Sequence, residues 1–399
     1  METRRLAEPD IIRLWIMGGT NNVVRWFELL AAALFTFELT HSGLAVAAVS
    51  AARTVPMLLL GAFSGVLSEA VNRKRIIVTG ILITAASSLS ILVLASAGLV
   101  QPWHIAVASF VCGSVWSTEM SSRRRMVGDL AAPELLSRAI AVDSLAGACT
   151  RMIGPLFGAV AYDVFGIVGA YAITTALTLS NLLLIAPLRH QQVTRQLSIA
   201  GTARDLLDGL RSAAHQPRVL AVLAVTLVMN MFIFSYSSIV APIARVVFDA
   251  PNAMVGFLAA AESFGAFLAG IVLARRTLPI PPRLMMVGGS VLFAVTLFVM
   301  PLLPGFWTAC LLLAIGGTGT AAFSNMQTLL IMKDAPPAMR SRLLGLITAS
   351  IGTGPLGQII AGALADRFGL TAAVMLLASS GCALLLGCGY LWGKAERAG

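Results

Sequence analysis

Long apolar segments alternate with short polar connections along the whole chain of 399 residues. A helix needs about 20 mainly apolar residues to cross the hydrocarbon core of a bilayer. Twelve segments reach that length, approximately 11–39, 43–70, 76–99, 102–123, 138–164, 167–188, 218–247, 252–274, 283–303, 305–331, 341–366 and 370–393. The pattern predicts an all-α membrane protein with twelve transmembrane helices, called spans 1 to 12 in chain order.

Span 1 differs from the apolar core of a secretory signal peptide. It is roughly twice the length of such a core, which has about 7–15 residues. It is also interrupted by Asn21, Asn22, Arg25 and Glu28. We therefore expect a first span that is retained in the mature protein.

The composition also favours a protein dissolved in lipid. Hydrophobic residues make up 58% of the chain, charged residues make up 12%, and the mean hydropathy is +0.87. This is more apolar surface than one soluble core could bury. The net charge of +10 could suggest a nucleic-acid partner. The cations are scattered over short loops and form no single basic face, so we expect no such partner.

Sequence patterns for catalysis or cofactor binding are missing. The four histidines are isolated near span ends, and the five cysteines lie in apolar segments without metal-ligand spacing. No phosphate-binding G-x-x-x-x-G-K sequence occurs. We predict that the protein is not an enzyme, has no cofactor or metal, is a monomer, and is driven by an ion gradient.

The distribution of cations predicts the orientation of the spans. If the N-terminus is cytoplasmic, the inner loops and span ends contain nearly all lysines and arginines, including Arg73, Lys74 and Arg75 in one short loop. The outer connections contain at most Arg245 and Arg367. By the positive-inside rule, we expect a multi-pass protein of the inner membrane with both termini in the cytoplasm.

An internal repeat divides the chain into halves. Three motifs of the first half recur about 200 residues later: Pro133-x-x-x-Ser137-Arg138 as Pro337-x-x-x-Ser341-Arg342, Gly154-Pro155 as Gly354-Pro355, and Asp163-x-Phe165-Gly166 as Asp366-x-Phe368-Gly369. Parallel repeats place the substrate path between the halves near the bilayer midplane. We predict six-helix bundles at 1–188 and 218–399, joined by a cytoplasmic linker at 189–217 that contains an amphipathic helix.

The loop between spans 2 and 3 resembles a signature of the major facilitator superfamily. The resemblance is carried by Gly65, Glu69, Arg73, Lys74 and Arg75, although the superfamily usually has aspartate where Glu69 stands. It implies two pseudo-symmetric six-helix bundles and a secondary transporter that works by alternating access. It also implies that this loop helps to latch the two halves in one state.

One branch of this superfamily is similar to nearly the whole chain. The similar stretches are the polar span 1 followed by E-L-T-H-S-G, A-A-R-T-V-P-M-L-L-L-G in span 2, the loop S-S-R-R-R-M-V-G-D-L-A-A-P-E-L-L-S-R-A, and the linker D-L-L-D-G-L-R-S-A-A-H-Q-P. The branch contains enterobactin-type siderophore exporters and macrolide efflux proteins. The arginine-bearing motif found in span 4 of many proton-driven drug antiporters has no clear match.

Five ionisable residues lie deepest in their predicted spans: Arg25, Glu28, Arg53, Arg151 and Glu262. A charge at the centre of a membrane helix costs about 2.5–3.5 kcal/mol on insertion scales, so each is a candidate for proton coupling or substrate binding. Arg25 and Glu28 are three residues apart, and they form either a structural ion pair or a proton-exchanging pair. Glu262 has no cation within a helical turn, and it is a proton carrier, a hydrogen-bonded neutral acid or a bystander in a cavity.

Charges at the inner ends of the spans suggest a gate. Glu119 and Asp143 could join Arg123–Arg125 and Arg138 in a network with Glu69 and the cations of the loop at 73–75. Such a network would hold the halves together in one state and break in the other. The alternative is a plain solvated cluster.

Aromatic and amide residues on spans 1, 4, 7 and 10 are candidates for lining the cavity, because the resemblance implies that these spans surround it. They are Asn21, Asn22, Trp26, Trp116, Asn230, Phe234, Tyr236, Asn325 and Gln327, together with Phe232 and Phe323. Aromatic surface with a few amides suits an amphiphilic or aromatic solute. Ordinary packing is the alternative at each position.

These features together predict an exporter of a small amphiphilic compound, either a drug-like molecule or a siderophore. We expect alternating access with proton antiport. An importer or uniporter of a specific solute, a lipid flippase and a non-transporting receptor are the alternatives on the same fold.

Overall fold

The computed structural model describes residues 9–130, 136–188, 211, 213, 216–275, 279–334 and 339–398, and all regular secondary structure in these ranges is helical. The helices are α1 Pro9–Thr40, α2 Gly43–Ala70, α3 Arg73–Ser96, α4 Pro102–Leu130, α5 Leu136–Ile185, α6 Pro217–Val228, α7 Asn252–Arg275, α8 Pro282–Val299, α9 Phe306–Asp334, α10 Arg340–Ile351, α11 Gly354–Phe368 and α12 Leu370–Ala398. Most of the predicted linker, with its amphipathic helix, lies outside the described residues.

Nine helical segments in the described part are long and apolar enough to cross a membrane. One of them, Leu145–Ile185, belongs to α5, which contains spans 5 and 6 and bends at Gly166, where φ is +61°. The helices α1 and α4 have sufficient length but carry more charge. The all-helical membrane fold is confirmed, and the segments are consistent with twelve crossings.

Two spans of the second half depart from a continuous α-helix. Span 7 begins as α6 and continues through π-helical and 3-10 turns, Met229–Ile233, Phe234–Ile239 and Ile243–Val247. Span 11 is divided into α10 and α11, and Pro355 lies in the first turn of α11. Proline has no N–H for a helix interior, so it suits this position.

The halves pack against each other along two seams, α5 with α7 and α2 with α11. Small residues allow the close approach. A methyl group added at Gly256 would lie 2.7 Å from the carbonyl oxygen of Pro155, and one added at Gly362 would lie 2.6 Å from Cβ of Ala47. Since lipid is as apolar as leucine, such backbone proximity is a main source of helix association in membranes.

Gly113 gives a test of this packing inside the first half. A Cβ there would overlap the carbonyl oxygen of Arg53 on α2. We expect Gly113→Ala to destabilise the protein by roughly 1–3 kcal/mol, the usual cost of overpacking. The matched control is Gly19→Ala on α1, where nothing lies within 4 Å of the added methyl. Melting temperatures in detergent should fall for Gly113→Ala alone, and equal values for both variants would contradict the tight α2–α4 contact.

Candidate functional site

A cavity of about 330 Å³ lies between the two halves. The first half contributes side chains from α1, α2 and α5, and the second half contributes span 7, α7, α9 and α10. Seven of the residues singled out in the sequence line it: Trp26, Arg151, Asn230, Phe234, Tyr236, Glu262 and Gln327. Its size is in the range of small-molecule sites, and it combines aromatic with polar side chains.

The irregular backbone of span 7 shapes one wall of this cavity. Phe234 and Tyr236 lie in the 3-10 turn, and both rings pack on Phe293, with centroid distances of 5.9 and 5.8 Å. Phe234 also packs on Phe323, at 6.0 Å. Irregular backbone at membrane depth is tolerated where it lines a cavity or is buried in protein. The apolar pattern contained no signal for this irregular backbone.

The cavity has one charge from each half. Glu262 on α7 is half-buried and accepts a hydrogen bond from the Tyr236 hydroxyl at 3.1 Å. Arg151 on α5 is exposed, and its guanidinium lies 5.3 Å from the ring centroid of Trp26. The two charges therefore face a common space from opposite halves, so relative movement of the halves changes their interaction.

Several predicted lining residues lie elsewhere. Asn21 and Trp116 line a smaller cavity inside the first half, described further below. Asn22 lies on α1 near Gly147 of α5. Asn325 is exposed, and its amide donates to the carbonyl oxygen of Ala321 on its own helix at 2.8 Å.

The expected pairing of Glu28 with Arg25 is corrected by the structure. Glu28 instead accepts a hydrogen bond from Arg53 on α2 at 2.9 Å and another from the Ser88 hydroxyl at 2.6 Å. Arg25 turns away, and its guanidinium lies 3.7 Å from the ring centroid of Trp116. A cation placed on an indole face gains quadrupole attraction. Packing of α2 and α3 on α1 therefore decides the partner, since spacing along α1 permits either one.

The candidate gating residues form two groups within the first half. Arg73 pairs with Asp129, while Lys74 donates to the carbonyl oxygens of Ala186 and Leu188 at 2.7 and 2.9 Å. Lys74 thereby caps the end of the chain segment that follows α5. Arg75 is exposed.

The second group lies deeper in the same half. Arg123 pairs with Asp143 and lies 3.4 Å from Glu119, and Arg124 donates to Asp143 at 3.2 Å. The side chains of Gly65, Glu69 and Arg138 lie outside the described part of the chain. The described ion pairs thus join helices of the first half to each other.

Comparison with known proteins covers almost the full chain. The sequence profile of the transmembrane secretion effectors, a family of the major facilitator superfamily, matches residues 6–393. The chain belongs to this family. The finding confirms the superfamily predicted from the loop signature, and it identifies a multi-pass membrane transporter and not an enzyme.

Similar proteins include efflux pumps. The multidrug efflux pump Tap of Mycolicibacterium fortuitum is 26% identical over 350 residues, which cover 85% of each chain. Macrolide efflux protein A of Streptococcus pyogenes is 22% identical over 372 residues, covering 90% of this chain and 89% of the relative.

Solved structures share the fold. A bacterial homologue of the human lysosomal transporter Spinster, in an inward-facing and unoccupied conformation, has a TM-score of 0.75 and 14% identity, covering 97% of this chain and 96% of that one. The peptide transporter POT in complex with sulfate also has a TM-score of 0.75, with 13% identity, covering 97% and 94%. At these identities the likeness shows the fold alone.

This secretion effector also has polar contacts between its halves that the sequence interpretation missed. They lie at the end of the bundle opposite Pro9 and Ala398, which we call the distal end. Asp366 of α11 accepts hydrogen bonds from the Ser42 hydroxyl and the Gly43 N–H, both at 2.6 Å, and from the Leu44 N–H at 3.2 Å. The carboxylate of one half therefore caps the first turn of α2 in the other half.

The second seam is joined at the same end by Glu38. Its carboxylate accepts from Asn252 of α7 at 2.7 Å and from Tyr162 of α5 at 2.5 Å. Nearer the middle of the first seam, Thr54 donates to Gln358 at 3.1 Å. The repeated D-x-F-G motif was the available signal for Asp366, whereas nothing in the sequence distinguished Glu38.

Proposed function

We propose that this chain exports a small amphiphilic organic compound from the cytoplasm in exchange for protons, by alternating access. The observation that carries the proposal is the cavity between the halves, where aromatic rings surround Glu262 and Arg151. Aromatic surface suits the apolar part of a solute, and the two charges suit its polar part. The relatives named as multidrug and macrolide efflux pumps support export.

The geometry gives Glu262 the role of proton carrier. Its carboxylate lines the cavity, so substrate and proton can compete for the same group as the halves move. Tyr236 orients the carboxylate through its hydroxyl. Arg151, on the other half, favours the ionised form of Glu262 when the two approach, which promotes release of the proton. With both termini in the cytoplasm, as the cation distribution predicts, the distal end faces outward.

Dye efflux tests this function. Cells that lack their own pumps would express wild type or Glu262→Gln, be loaded with ethidium or Hoechst dye, and be followed with and without an uncoupler. We expect wild-type efflux to be sensitive to the uncoupler and Glu262→Gln to reduce its rate at least about tenfold, the size of a typical general acid–base contribution or more. Asp163→Asn is the matched control, because Asp163 is an exposed carboxylate that does not line the cavity.

Each outcome has a distinct meaning. Loss of efflux in Glu262→Gln but not in Asp163→Asn supports export coupled through Glu262. Full efflux in Glu262→Gln removes Glu262 as carrier. If wild type moves neither dye, broad drug efflux is wrong, and export of a siderophore or transport of one specific solute becomes the better interpretation.

A further inference from the structure

A second cavity, of about 40 Å³, lies entirely within the first half. It is lined by helices α1 to α5, and none of its lining residues belongs to the cavity between the halves. Its polar lining comes from Asn21, Arg25, Arg53, Thr84, Glu119 and Thr178. We call it the N-half pocket.

Three buried polar atoms of the N-half pocket make no hydrogen bond with any described residue. They are Nε of Arg53, Oγ1 of Thr178 and Oε1 of Glu119. Leaving such a group unsatisfied costs about 1–3 kcal/mol, and more for a charged group. A polar cavity with two to four partners and room for a probe sphere of about 10–15 Å³ holds ordered water. The pocket has both the room and the partners, so it is a water site.

The N-half pocket lies between two buried charge clusters. One side of it is the Glu28–Arg53 pair, whose side chains are 3% and 7% exposed. On the other side is Glu119, beside Arg123. Along α1, Glu28 and Asn21 are seven residues apart, which is about 10 Å at 1.5 Å per residue. Water in the pocket bridges this distance.

Beyond Glu119 the polar groups continue to the surface. Arg123 pairs with Asp143, and Asp143 accepts from Arg124, whose side chain is 53% exposed. The path therefore begins at Glu28 in the interior and ends at the same end of the bundle as Pro9. It contains charges of both signs, which makes proton exchange along it less costly than transfer of a single charge through hydrocarbon.

We propose that the N-half pocket is a hydrated proton path between Glu28 and the cytoplasmic surface, separate from the cavity that binds the substrate. The inference rests on the proposed proton exchange and gives it a second carboxylate. Protonated Glu28 donates its proton to pocket water, which passes a proton to the Glu119 carboxylate. Glu119 releases a proton toward Asp143 and the surface. The Glu28 carboxylate that remains pairs with Arg53, as the structure shows.

The groups that face Glu28 come from every helix packed around it. They are Arg25 on α1, Arg53 on α2, Ser88 on α3, Cys112 on α4 and Tyr171 on α5. Arg53 is the ion-pair partner, and the others are a second cation, a hydroxyl, a thiol and a phenol. Glu28 is thus the one carboxylate among them, and it is the group that gains or loses the proton.

Silver ions test the hydration directly. Cys112 lines the pocket and is 5% exposed, so a variant that retains only this cysteine reports whether water reaches it. Ag⁺ is added to purified protein, and the thiols that remain are counted with a maleimide after unfolding. The matched control retains only Cys310, which packs against the apolar core. We expect Cys112 to react at least about tenfold faster than Cys310, and Thr178→Val to remove most of that difference while Thr178→Ser preserves it.

A pH jump tests the proton step. Purified wild type and Glu28→Gln are moved from low to higher pH in a stopped-flow instrument, and a soluble indicator records proton release. We expect Glu28→Gln to release one proton fewer, and Thr178→Val to release the same number at least about tenfold more slowly. Monodisperse elution of each variant in detergent excludes misfolding as the cause.

These outcomes separate the inference from the proposed function, because neither measurement requires transport. If Cys112 is as unreactive as Cys310, the pocket is dry and the path is wrong. Reactive Cys112 with unchanged proton release in Glu28→Gln means structural water only, which also overturns the path. If the path is supported but dye efflux is insensitive to the uncoupler, proton-driven export fails independently.

Discussion

Replacing Arg53 with methionine should lower the free energy of unfolding by about 3–5 kcal/mol, the usual cost of removing one partner from a buried ion pair. The pair is deeply buried, and the distance between Nη1 of Arg53 and Oε2 of Glu28 is 2.9 Å. Methionine retains most of the side-chain volume, so the change removes the charge without opening a large cavity. The Ser88 hydroxyl remains as a hydrogen-bond donor to Glu28, but it brings no positive charge.

Unfolding in detergent with increasing sodium dodecyl sulfate would measure this loss. The control is the double variant Arg53→Met with Glu28→Gln, in which no unpaired charge remains. Because replacing a whole buried pair by neutral groups is often close to neutral, the double variant should regain most of the lost stability. Additive losses from the two substitutions would show that the charges do not stabilise each other.

Asp366→Ala should shift the protein toward conformations that are open at the distal end. The substitution removes three hydrogen bonds between the halves, and hydrogen bonds to a charged group contribute about 1.5–3 kcal/mol each. It also removes a negative charge from the N-terminus of α2, where the helix dipole favours one. Loss of even one such bond changes the ratio of open to closed molecules by roughly a factor of ten or more.

Distances between spin labels would measure this shift. Leu99 and Leu302 are exposed, follow the distal ends of α3 and α8, and belong to different halves. Cysteines at these positions in a background without native cysteines would carry the labels. The longer-distance population should grow in Asp366→Ala and remain at the wild-type level in Asp163→Ala, since Asp163 is the exposed counterpart in the repeat. An unchanged distribution in Asp366→Ala would show that other contacts hold this end closed.

The number and length of the spans followed from the sequence because lipid leaves little choice. A chain in hydrocarbon must satisfy its backbone hydrogen bonds internally, so an apolar run of about 20 residues becomes a helix. The rotation of each helix has no such rule. Glu28 was therefore found as a buried charge, but its partner Arg53, 25 residues away on another helix, was not.

The cavity was anticipated in composition more than in construction. Spans 1 and 7 were expected to contribute aromatic residues, and Trp26, Phe234 and Tyr236 do line it. Hydrophobicity carries no information about π-helical or 3-10 turns, so the irregular backbone at 229–247 was missed. Trp116 faces the interior of the first half instead, because Arg25 draws its ring into a cation–π contact.

The two seams at the distal end differ in how they would withstand random mutation. Asp366 binds two backbone N–H groups, which substitutions at positions 43 and 44 cannot remove unless they introduce proline or move the chain. Glu38 binds two side chains, and a change in any of the three residues breaks a contact. Among descendants of this chain, the first seam should tolerate wide variation on α2 provided that the aspartate persists. The second seam should be lost or rebuilt more often, with paired changes on both halves.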